Sequence, residues 1–312
     1  MWLGIGFILG GCQPAVKEHT VHGRTMGTTW SAILGCDADE AVEAKTLIQS
    51  RFDELEATFS TWQKDSAVAK FNASASTDWQ PVPRELADVV AKSQQFSQLT
   101  NGAYDITVAP LLALWGFGLD KHERRLPDDA ILAKVKALTG WQKLEVKLSP
   151  PQLRKTEASL RIDPSSLVEG YALDDISAKL RAQGITNFLL EVGGEMIAAG
   201  MKQDGNAWIV GIQKPGHDRS EIATSTPLID QAISTSGVYQ QYWEHEGNQY
   251  AHVLDARTGR PVTHRLQSVS VKAANAIDAD GWTTALLILG PQEGHALAKE
   301  HHVSAVFLEM PE

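Results

Sequence analysis

The 312-residue sequence has few cysteines and lacks any run of lysine or arginine. Its two cysteines allow one internal disulfide at most, which excludes a disulfide-rich framework. The formal net charge is −10, and without a basic cluster the chain lacks the electrostatic footprint of a nucleic-acid-binding surface. Low-complexity tracts and internal repeats are also missing. With 43% hydrophobic and 21% charged residues, the composition is typical of a folded globular protein.

The apolar stretch at the N-terminus, MWLGIGFILGG, is too short to span a bilayer as a helix. It ends in LGGC, which resembles a bacterial lipobox, so we interpret residues 1–11 as a lipoprotein signal segment, Cys12 as the lipidated residue and residues 12–20 as a tether. This predicts a periplasm-facing lipoprotein of the cell envelope, and Gln13 favours the outer membrane over the inner one. The alternative is an apolar tail with a chance cysteine. If Cys12 carries lipid, Cys36 has no disulfide partner and is expected to be buried.

Apolar periodicity along the rest of the chain predicts a mixed α and β class. Helices are predicted at residues 39–59, after Pro83 to about residue 100, in VAPLLALWGFG and DDAILAKVKALTG, over Val168 to Ala182, and from Asp278. Strands are predicted in HGRTMGTTWSAIL, NFLLEVGG, NAWIVGIQ, STPLIDQAIST, QSVSVKA and SAVFLEM. Residues 149–156, which are polar and contain prolines, are predicted to form a loop.

The segment DADGWTTALL places oxygen-bearing side chains directly before an apolar run. On a helix Asp280 and Thr284 share a face, with Thr283 beside them, and such hard oxygens suit Mg²⁺. A divalent cation would also let an acidic protein bind an anionic ligand. The alternative is that Asp278 caps the helix while Asp280 lies in its first turn, outside the core.

Three further segments have a chemical and a structural interpretation. IDPSSLVEGYALDD groups Asp163, serines and Glu169 at a helix start, where N–H groups bind anions or are simply capped. EVGGEM has a glycine pair that admits a ligand to the backbone or forms a plain turn. In NGAYDITV, Tyr104 and Asp105 can hold a flat heterocycle, or pack in the core.

His252 lies in AHVLDARTGRPV, before an Arg-Thr-Gly turn. A histidine titrates near neutral pH and can serve as a general base, although a lone histidine can also be structural. The sequence by itself leaves both roles open.

Taken in order, nine segments resemble the ApbE family of FAD:protein FMN transferases over about residues 22–310. They are MGTTW, STWQKDSAVAKFN, TNGAYDITVAPLLALWGFG, IDPSSLVEGYALDD, LLEVGGEM, WIVGIQKP, ISTSGVY, HVLDARTGRPV and DADGWTTALLILG. The resemblance implies a single α+β domain over residues 21–312, with mixed sheets and packed helices. It also implies an exported lipoprotein that uses Mg²⁺ to transfer FMN from FAD to a threonine hydroxyl and releases AMP. The implied targets are subunits of Na⁺-translocating NADH:quinone reductase or of Rnf-type complexes.

The resemblance also implies roles for individual residues. FAD-contacting positions match Met26, Trp62, Ala103, Tyr104, Asp105, Asp163, Glu169 and Leu254; metal-site positions match Ser166, Asp280, Thr283 and Thr284; His252 matches the candidate base. Three residues depart from the family pattern. Trp62 stands where tyrosine is frequent, Thr283 replaces an aspartate found in some relatives, and Val168 replaces a small residue, so that either the Val168 carbonyl or Ser166 is the expected metal ligand there.

Two alternative functions share this FAD and Mg²⁺ chemistry. In a Mg²⁺-dependent FAD pyrophosphatase, water replaces threonine as the acceptor and FMN and AMP are released. In a non-catalytic periplasmic FAD-binding lipoprotein, His252 is structural and Thr283 has disabled the metal site.

Overall fold

The computed structural model describes residues 17–118, 124–216 and 221–310, in which helices and strands are interspersed. The helices are α1 (Ala38–Phe59), α2 (Ala67–Ala73), α3 (Arg84–Leu99), α4 (Ala109–Leu114), α5 (Asp129–Lys136), α6 (Val168–Ala182) and α7 (Ala276–Glu300). The strands are β1 (Glu18–Thr25), β2 (Thr28–Gly35), β3 (Gln80–Pro81), β4 (Leu144–Leu148), β5 (Pro151–Lys155), β6 (Phe188–Val192), β7 (Glu195–Ala199), β8 (Trp208–Gln213), β9 (Ile222–Leu228), β10 (Gln231–Gly237), β11 (Tyr242–His245), β12 (Asn248–Ala251), β13 (Leu254–Asp255), β14 (Arg260–Pro261), β15 (Leu266–Ala273) and β16 (Ser304–Glu309). The predicted α+β class is confirmed.

A seven-stranded antiparallel sheet organises the fold, in the order β1-β2-β6-β7-β10-β15-β16. Alternate residues of its strands point to opposite faces. One face packs against α1, α6 and α7 in the main core, and the other is covered by the β8–β9 hairpin in a second apolar cluster. Because neighbouring strands are antiparallel, the β1–β2 turn and the β6–β7 turn lie at the same end of the sheet.

The predicted elements are largely confirmed, and α6 has the predicted bounds. Residues 149–156 are an exception, because 151–155 form β5, which pairs tightly with β4. STPLIDQAIST is two strands joined by a turn at Asp230, which adopts a positive φ of 48°. HGRTMGTTWSAIL is a hairpin for the same reason, with φ of 48° at Met26 and 78° at Gly27. The Asp230 turn has no glycine that would reveal it, and in the β1–β2 turn Gly27 follows a methionine instead of the asparagine or aspartate that usually marks such a hairpin.

The N-terminal predictions fall mainly outside the described residues, because residues 1–16 include the expected signal segment, Cys12 and most of the tether. β1 begins at Glu18, within the stretch interpreted as tether. Cys36 is buried as expected, at 3% exposure, and burial raises the pKa of its thiol to about 11. Among the described helices, none has the length and hydrophobicity needed to cross a bilayer.

Candidate active site

The contact between α6 and α7 fixes the position of Asp280. Gly170, in the first turn of α6, packs so closely on α7 that a Cβ atom there would lie 2.6 Å from the carbonyl oxygen of Ala276. Its N–H, which has no partner within its own helix, donates to Oδ2 of Asp280 at 3.1 Å. Asp174, one turn later, accepts from the N–H groups of Ala276 and Ile277 at 2.7 and 2.9 Å. α6 therefore holds both the start of α7 and the carboxylate predicted to bind metal.

Two expectations about this helix start are wrong. The N-cap of α7 is Asn275, not Asp278, because the Asn275 side chain accepts the N–H of Asp278 at 2.9 Å. Asp280 is not outside the core either, since only 5% of its surface is exposed. The sequence could not reveal this burial, because α6, which lies about a hundred residues earlier in the chain, covers the first turn of α7.

Three carboxylates influence one another at this point: Asp280, Glu169 in α6 and Glu195 at the start of β7. Burial, and then the nearby charges of Glu195 and Glu169, raise the pKa of Asp280 well above its ordinary value. Burial and then Glu169 raise the pKa of Glu195 to about 8, and burial and then Asp163 raise that of Glu169 to about 7. None of the ion pairs formed within the described ranges involves any of the three. The ionised forms of these carboxyls are therefore poorly compensated, and a bound cation would favour ionisation and displace protons from them.

Glu195 was not predicted as a site residue. It follows the glycine pair in EVGGEM, and a Cβ atom at Gly193 would lie only 3.1 Å from its Oε2 atom. The missing side chain thus lets the carboxylate lie beside the backbone of the β6–β7 turn. The position of Glu195 directly after a glycine pair could have indicated this role in the sequence.

A chain of hydroxyl groups connects β10 to α7. The Oγ atom of Ser236 donates to the Thr283 hydroxyl at 2.9 Å and lies 3.1 Å from that of Thr284. Ser234, two residues earlier on the same face of β10, donates to Glu195 at 3.3 Å. The two serines were missed because the spacing in ISTSGVY does not show which face of the strand meets the site. Through these hydrogen bonds β10 supports both the start of β7 and the threonines of α7.

Thr283 and Thr284 differ in how many hydrogen-bonding positions of their hydroxyl groups remain available to a ligand. Thr283 is completely buried, donates its proton to the carbonyl oxygen of Asp280 at 2.8 Å and accepts from Ser236. At most one lone pair of its oxygen remains. Thr284 is half-buried, and the one side-chain hydrogen bond that it forms with a described residue is to Ser236. The hydroxyl of Thr284 is therefore the more available of the two.

These oxygen donors fit a magnesium ion better than a metal that needs several strong side-chain ligands. Within the described part of the chain, no three His, Cys, Asp or Glu side chains are grouped so that they could hold a metal by themselves. Mg²⁺ is usually bound by one or two carboxylates together with water and substrate phosphates. Asp280 with the hydroxyl of Thr284 meets that requirement, and a cation there would stabilise the ionised form of Asp280, which nothing else nearby compensates.

Ser166 and Tyr104 are in direct contact. The Tyr104 hydroxyl lies 2.8 Å from Oγ of Ser166, and burial, the largest cause, raises the pKa of this tyrosine above its ordinary value. Asp280 and Asp105 act on that pKa in the same direction, so the Tyr104 loop lies beside the carboxylate cluster. The phenol stays neutral and available for hydrogen bonding.

Asp105 is engaged by the backbone. Its Oδ1 accepts the N–H of Thr107 at 2.7 Å and its Oδ2 that of Trp141 at 2.8 Å. Burial is the largest influence on this carboxyl and raises its pKa. The neighbouring Ala103 is fully buried, and its carbonyl accepts the N–H of Ala256 at 3.0 Å, which ties this loop to the segment after His252.

The other predicted FAD contacts vary in accessibility. Met26 lies in the β1–β2 turn, where a cavity of about 480 Å³ is lined by Thr28, Thr29 and Glu56. The side chain of Trp62 is 74% exposed and could present a stacking face. Leu254 is the opposite case, because its buried side chain packs in a separate cluster with Trp115 and Trp243.

A larger cavity, of about 1060 Å³, lies at the opposite end of the sheet. Gly35, Asn187 and Met201 are among the residues that line it, close to the start of β1. It is remote from the residues described above, so its size does not make it the candidate active site.

His252 follows β12 and is half-buried. Its Nδ1 atom lies 3.1 Å from the carbonyl oxygen of Gln241. Because a carbonyl only accepts, Nδ1 carries the proton and Nε2 of the neutral ring keeps a lone pair. Burial, which outweighs the contact with Gln241, lowers the pKa of the imidazole below its ordinary value. The ring is therefore neutral at pH 7 and can take up a proton at Nε2.

Comparison with known proteins assigns the family. The family model described as "ApbE family" matches residues 26–307. The chain belongs to the ApbE family. Among curated ApbE relatives, the FAD:protein FMN transferases of Klebsiella pneumoniae (strain 342) and Escherichia coli (strain K12) are each 38% identical to it. The alignments cover 98% of this chain and 90% of the first relative, and 95% of this chain and 86% of the second.

Solved ApbE structures have the same fold. The flavin transferase ApbE from Vibrio cholerae superposes with a TM-score of 0.86 at 31% identity, covering 95% of this chain and 94% of that one. The apo form of the Pseudomonas stutzeri flavinyl transferase ApbE gives a TM-score of 0.87 at 34% identity, covering 95% and 92%.

The residues predicted from the ApbE resemblance are only partly assembled in one place. Asp163, Glu169, Asp280 and the two threonines lie around the start of α6 and α7, and Tyr104 with Ser166 adjoins them. The hydrogen bonds among the described residues do not join His252 to this cluster directly. Its link is the backbone contact of Ala256 with the Tyr104 loop. The individual roles of these residues remain predictions.

Proposed function

We propose that this ApbE family member is a Mg²⁺-dependent FAD:protein FMN transferase. Its reaction would join the FMN phosphorus of FAD to a threonine hydroxyl of a target flavoprotein subunit and release AMP. The observation that carries this proposal is the buried Asp280 carboxylate, which lies near Glu169 and Glu195 with no cationic partner among the described residues, on the same helix as the half-buried hydroxyl of Thr284. The names of the curated relatives support the same activity.

Each step can be assigned to residues of this chain. Asp280 and Thr284, with Thr283 and Ser166 or the Val168 carbonyl, would hold Mg²⁺. A bound Mg²⁺ ion would neutralise the diphosphate and polarise the phosphorus that is attacked. Met26, Trp62, Ala103, Tyr104, Asp105, Asp163, Glu169 and Leu254 are the proposed FAD contacts.

His252 is the proposed general base. The attacking threonine oxygen bonds to phosphorus, the phosphoanhydride bond to AMP breaks, and Nε2 of His252 takes the hydroxyl proton. A neutral ring is required for this step, and the lowered pKa of His252 keeps the base form present at pH 7.

The decisive experiment is flavinylation of a threonine-bearing target peptide with FAD, with and without Mg²⁺. We expect a mass increase on the threonine and equimolar AMP, both lost in chelator. His252→Asn keeps a donor for the Gln241 carbonyl but lacks the base, and should slow transfer by roughly 10²–10⁴-fold. AMP release without peptide at the same rate would instead indicate an FAD pyrophosphatase, and tight FAD binding without either product would indicate a flavin carrier.

We also propose a cell-envelope setting. Cys12 would carry a lipid anchor, and the targets would be subunits of Na⁺-translocating NADH:quinone reductase or Rnf-type complexes. Metabolic labelling with a radioactive fatty acid tests the anchor, because Cys12→Ser should remove the label and Cys36→Ser should not.

A further inference from the structure

The turn that follows α4 brings an aromatic ring to the proposed base. After α4 the N–H groups of Phe117 and Gly118 both donate to the carbonyl oxygen of Leu112, at 2.9 and 3.2 Å. Gly116 adopts a φ of 77°, and a Cβ atom at Gly118 would lie 2.8 Å from Cα of Ala113. The sequence WGFG thus fixes the conformation of this turn, and with it the backbone that presents Phe117.

Two buried indole groups fasten the turn to the chain on both sides of His252. Nε1 of Trp243, in β11, donates to the carbonyl oxygen of Trp115 at 3.0 Å. Nε1 of Trp115 donates to that of Gly259, which follows β13, at 2.9 Å. The three segments therefore form one small core, and the position of Phe117 relative to His252 is set by hydrogen bonds as well as by packing.

The ring of Phe117 meets the imidazole edge to face. Their centroids are 6.3 Å apart and their planes are inclined by 65°, an arrangement that is favourable for aromatic pairs. The hydrogen bond from Nδ1 to Gln241 restrains one edge of the imidazole, beside its bond to Cβ. The contact with Phe117 adds a second, non-covalent restraint on the direction of Nε2.

We propose that Phe117 is a positioning residue that holds the His252 imidazole in the orientation used for proton transfer. This inference rests on the proposed function of His252. It predicts a defect in kcat with KM for FAD little changed, because Phe117 acts on the base and not on the FAD contacts.

The electrostatic surroundings of His252 allow the effect to be read from its titration. The titratable side chains on the strands packed around it are Tyr242, Glu244 and His245 in β11, Tyr250 in β12 and Asp255 in β13. Asp255 is paired with Arg257 at 2.7 Å. Burial is the largest cause of the low pKa of His252, so removing the cover of Phe117 should admit water and raise that pKa.

The test compares Phe117→Ala, Phe117→Leu and Leu132→Val. Leu132 belongs to the same small core but lies on α5, so its variant loosens that core while leaving the ring contact in place. We expect Phe117→Ala to lower kcat about three- to tenfold and to move the acid limb of the pH–rate profile to higher pH. The ¹³C-labelled His252 resonance should titrate at correspondingly higher pH in the protein alone. Phe117→Leu should bring the pKa of His252 most of the way back to its wild-type value, and Leu132→Val should behave as wild type.

Three outcomes would overturn the inference or its basis. If Leu132→Val reproduced the shift, the effect would belong to the stability of the core and not to Phe117. If His252→Asn were inactive while Phe117→Ala kept the wild-type kcat and the wild-type pKa of His252, only the role of Phe117 would be refuted. If His252→Asn transferred FMN at the wild-type rate, the assignment of His252 as the base would be refuted, and the role of Phe117, which depends on it, would be refuted as well.

Discussion

Replacing Gly170 by alanine tests whether the spacing between α6 and α7 determines the cation site. The new Cβ atom would lie 2.6 Å from the carbonyl oxygen of Ala276 and 2.8 Å from Cα of Ile277, whereas ordinary contact begins near 3.4 Å. Both obstacles are backbone atoms, which no rotamer change can move aside. The helices must therefore separate by about 0.8 Å at the point where the Gly170 N–H meets Asp280.

The expected magnitudes follow from this displacement. Alanine normally stabilises a helix by about 1 kcal/mol over glycine, but overpacking costs about 1–3 kcal/mol, so the net loss is expected to lie between about 0 and 2 kcal/mol. Mg²⁺ demands nearly ideal geometry at about 2.0–2.1 Å, while Ca²⁺ accepts longer and more variable distances. Mg²⁺ affinity should fall about tenfold or more, and Ca²⁺ affinity should fall less.

Chemical denaturation and calorimetric titration with each cation in the presence of FAD provide the assay. The control is Ala178→Gly, on the exposed side of α6, which should lose roughly 0.5–1 kcal/mol and keep its Mg²⁺ affinity. A folded Gly170→Ala protein with unaltered Mg²⁺ affinity would refute the idea that this helix contact sets the site.

Three further perturbations have defined outcomes. Asp280→Asn should abolish Mg²⁺-dependent transfer yet raise the melting temperature of the metal-free protein, since it removes a carboxylate that its neighbours repel; a lower melting temperature would contradict this. The pKa values of Glu169 and Glu195 are raised to about 7 and about 8, so the folded state holds more protons than the unfolded one, and metal-free stability should fall between pH 6.5 and 8.5. Differential scanning calorimetry should show a smaller fall in Glu195→Gln; His252, whose pKa is lowered, contributes little in that range. Trp62→Ala should leave the denaturation midpoint unchanged because the ring is exposed, and should weaken FAD binding about 2- to 12-fold in a fluorescence titration if the ring stacks on the flavin.

The predictable part of the fold was that governed by local periodicity. The bounds of α6 follow from its repeating apolar positions, which face α1 and the sheet. The β4–β5 hairpin was missed because its short strands occupy a polar stretch with prolines, where composition favours a loop. The β1–β2 turn was missed because Met26 adopts a positive φ, which a non-glycine residue rarely does.

The site was predictable where the residues that form it lie close together in the sequence. Asp280, Thr283 and Thr284 lie within one helical turn, so their grouping follows from spacing alone. Glu195 and the serines of β10 reach the same place only through strand pairing across the sheet, which the sequence does not specify. Asp105 shows the reverse: its residue type suggested a ligand contact, and both of its oxygens accept backbone N–H groups.

The sequence alone determined the family resemblance, the α+β class and the residue types that can handle a cation and a proton. Tertiary structure decided which of them act on one another. Burial of Asp280 beneath α6, beside Glu169 and Glu195, shifts its pKa, and the carbonyl of Gln241 selects the tautomer of His252. These properties depend on distance and desolvation, and both arise only when segments far apart in the chain are packed together.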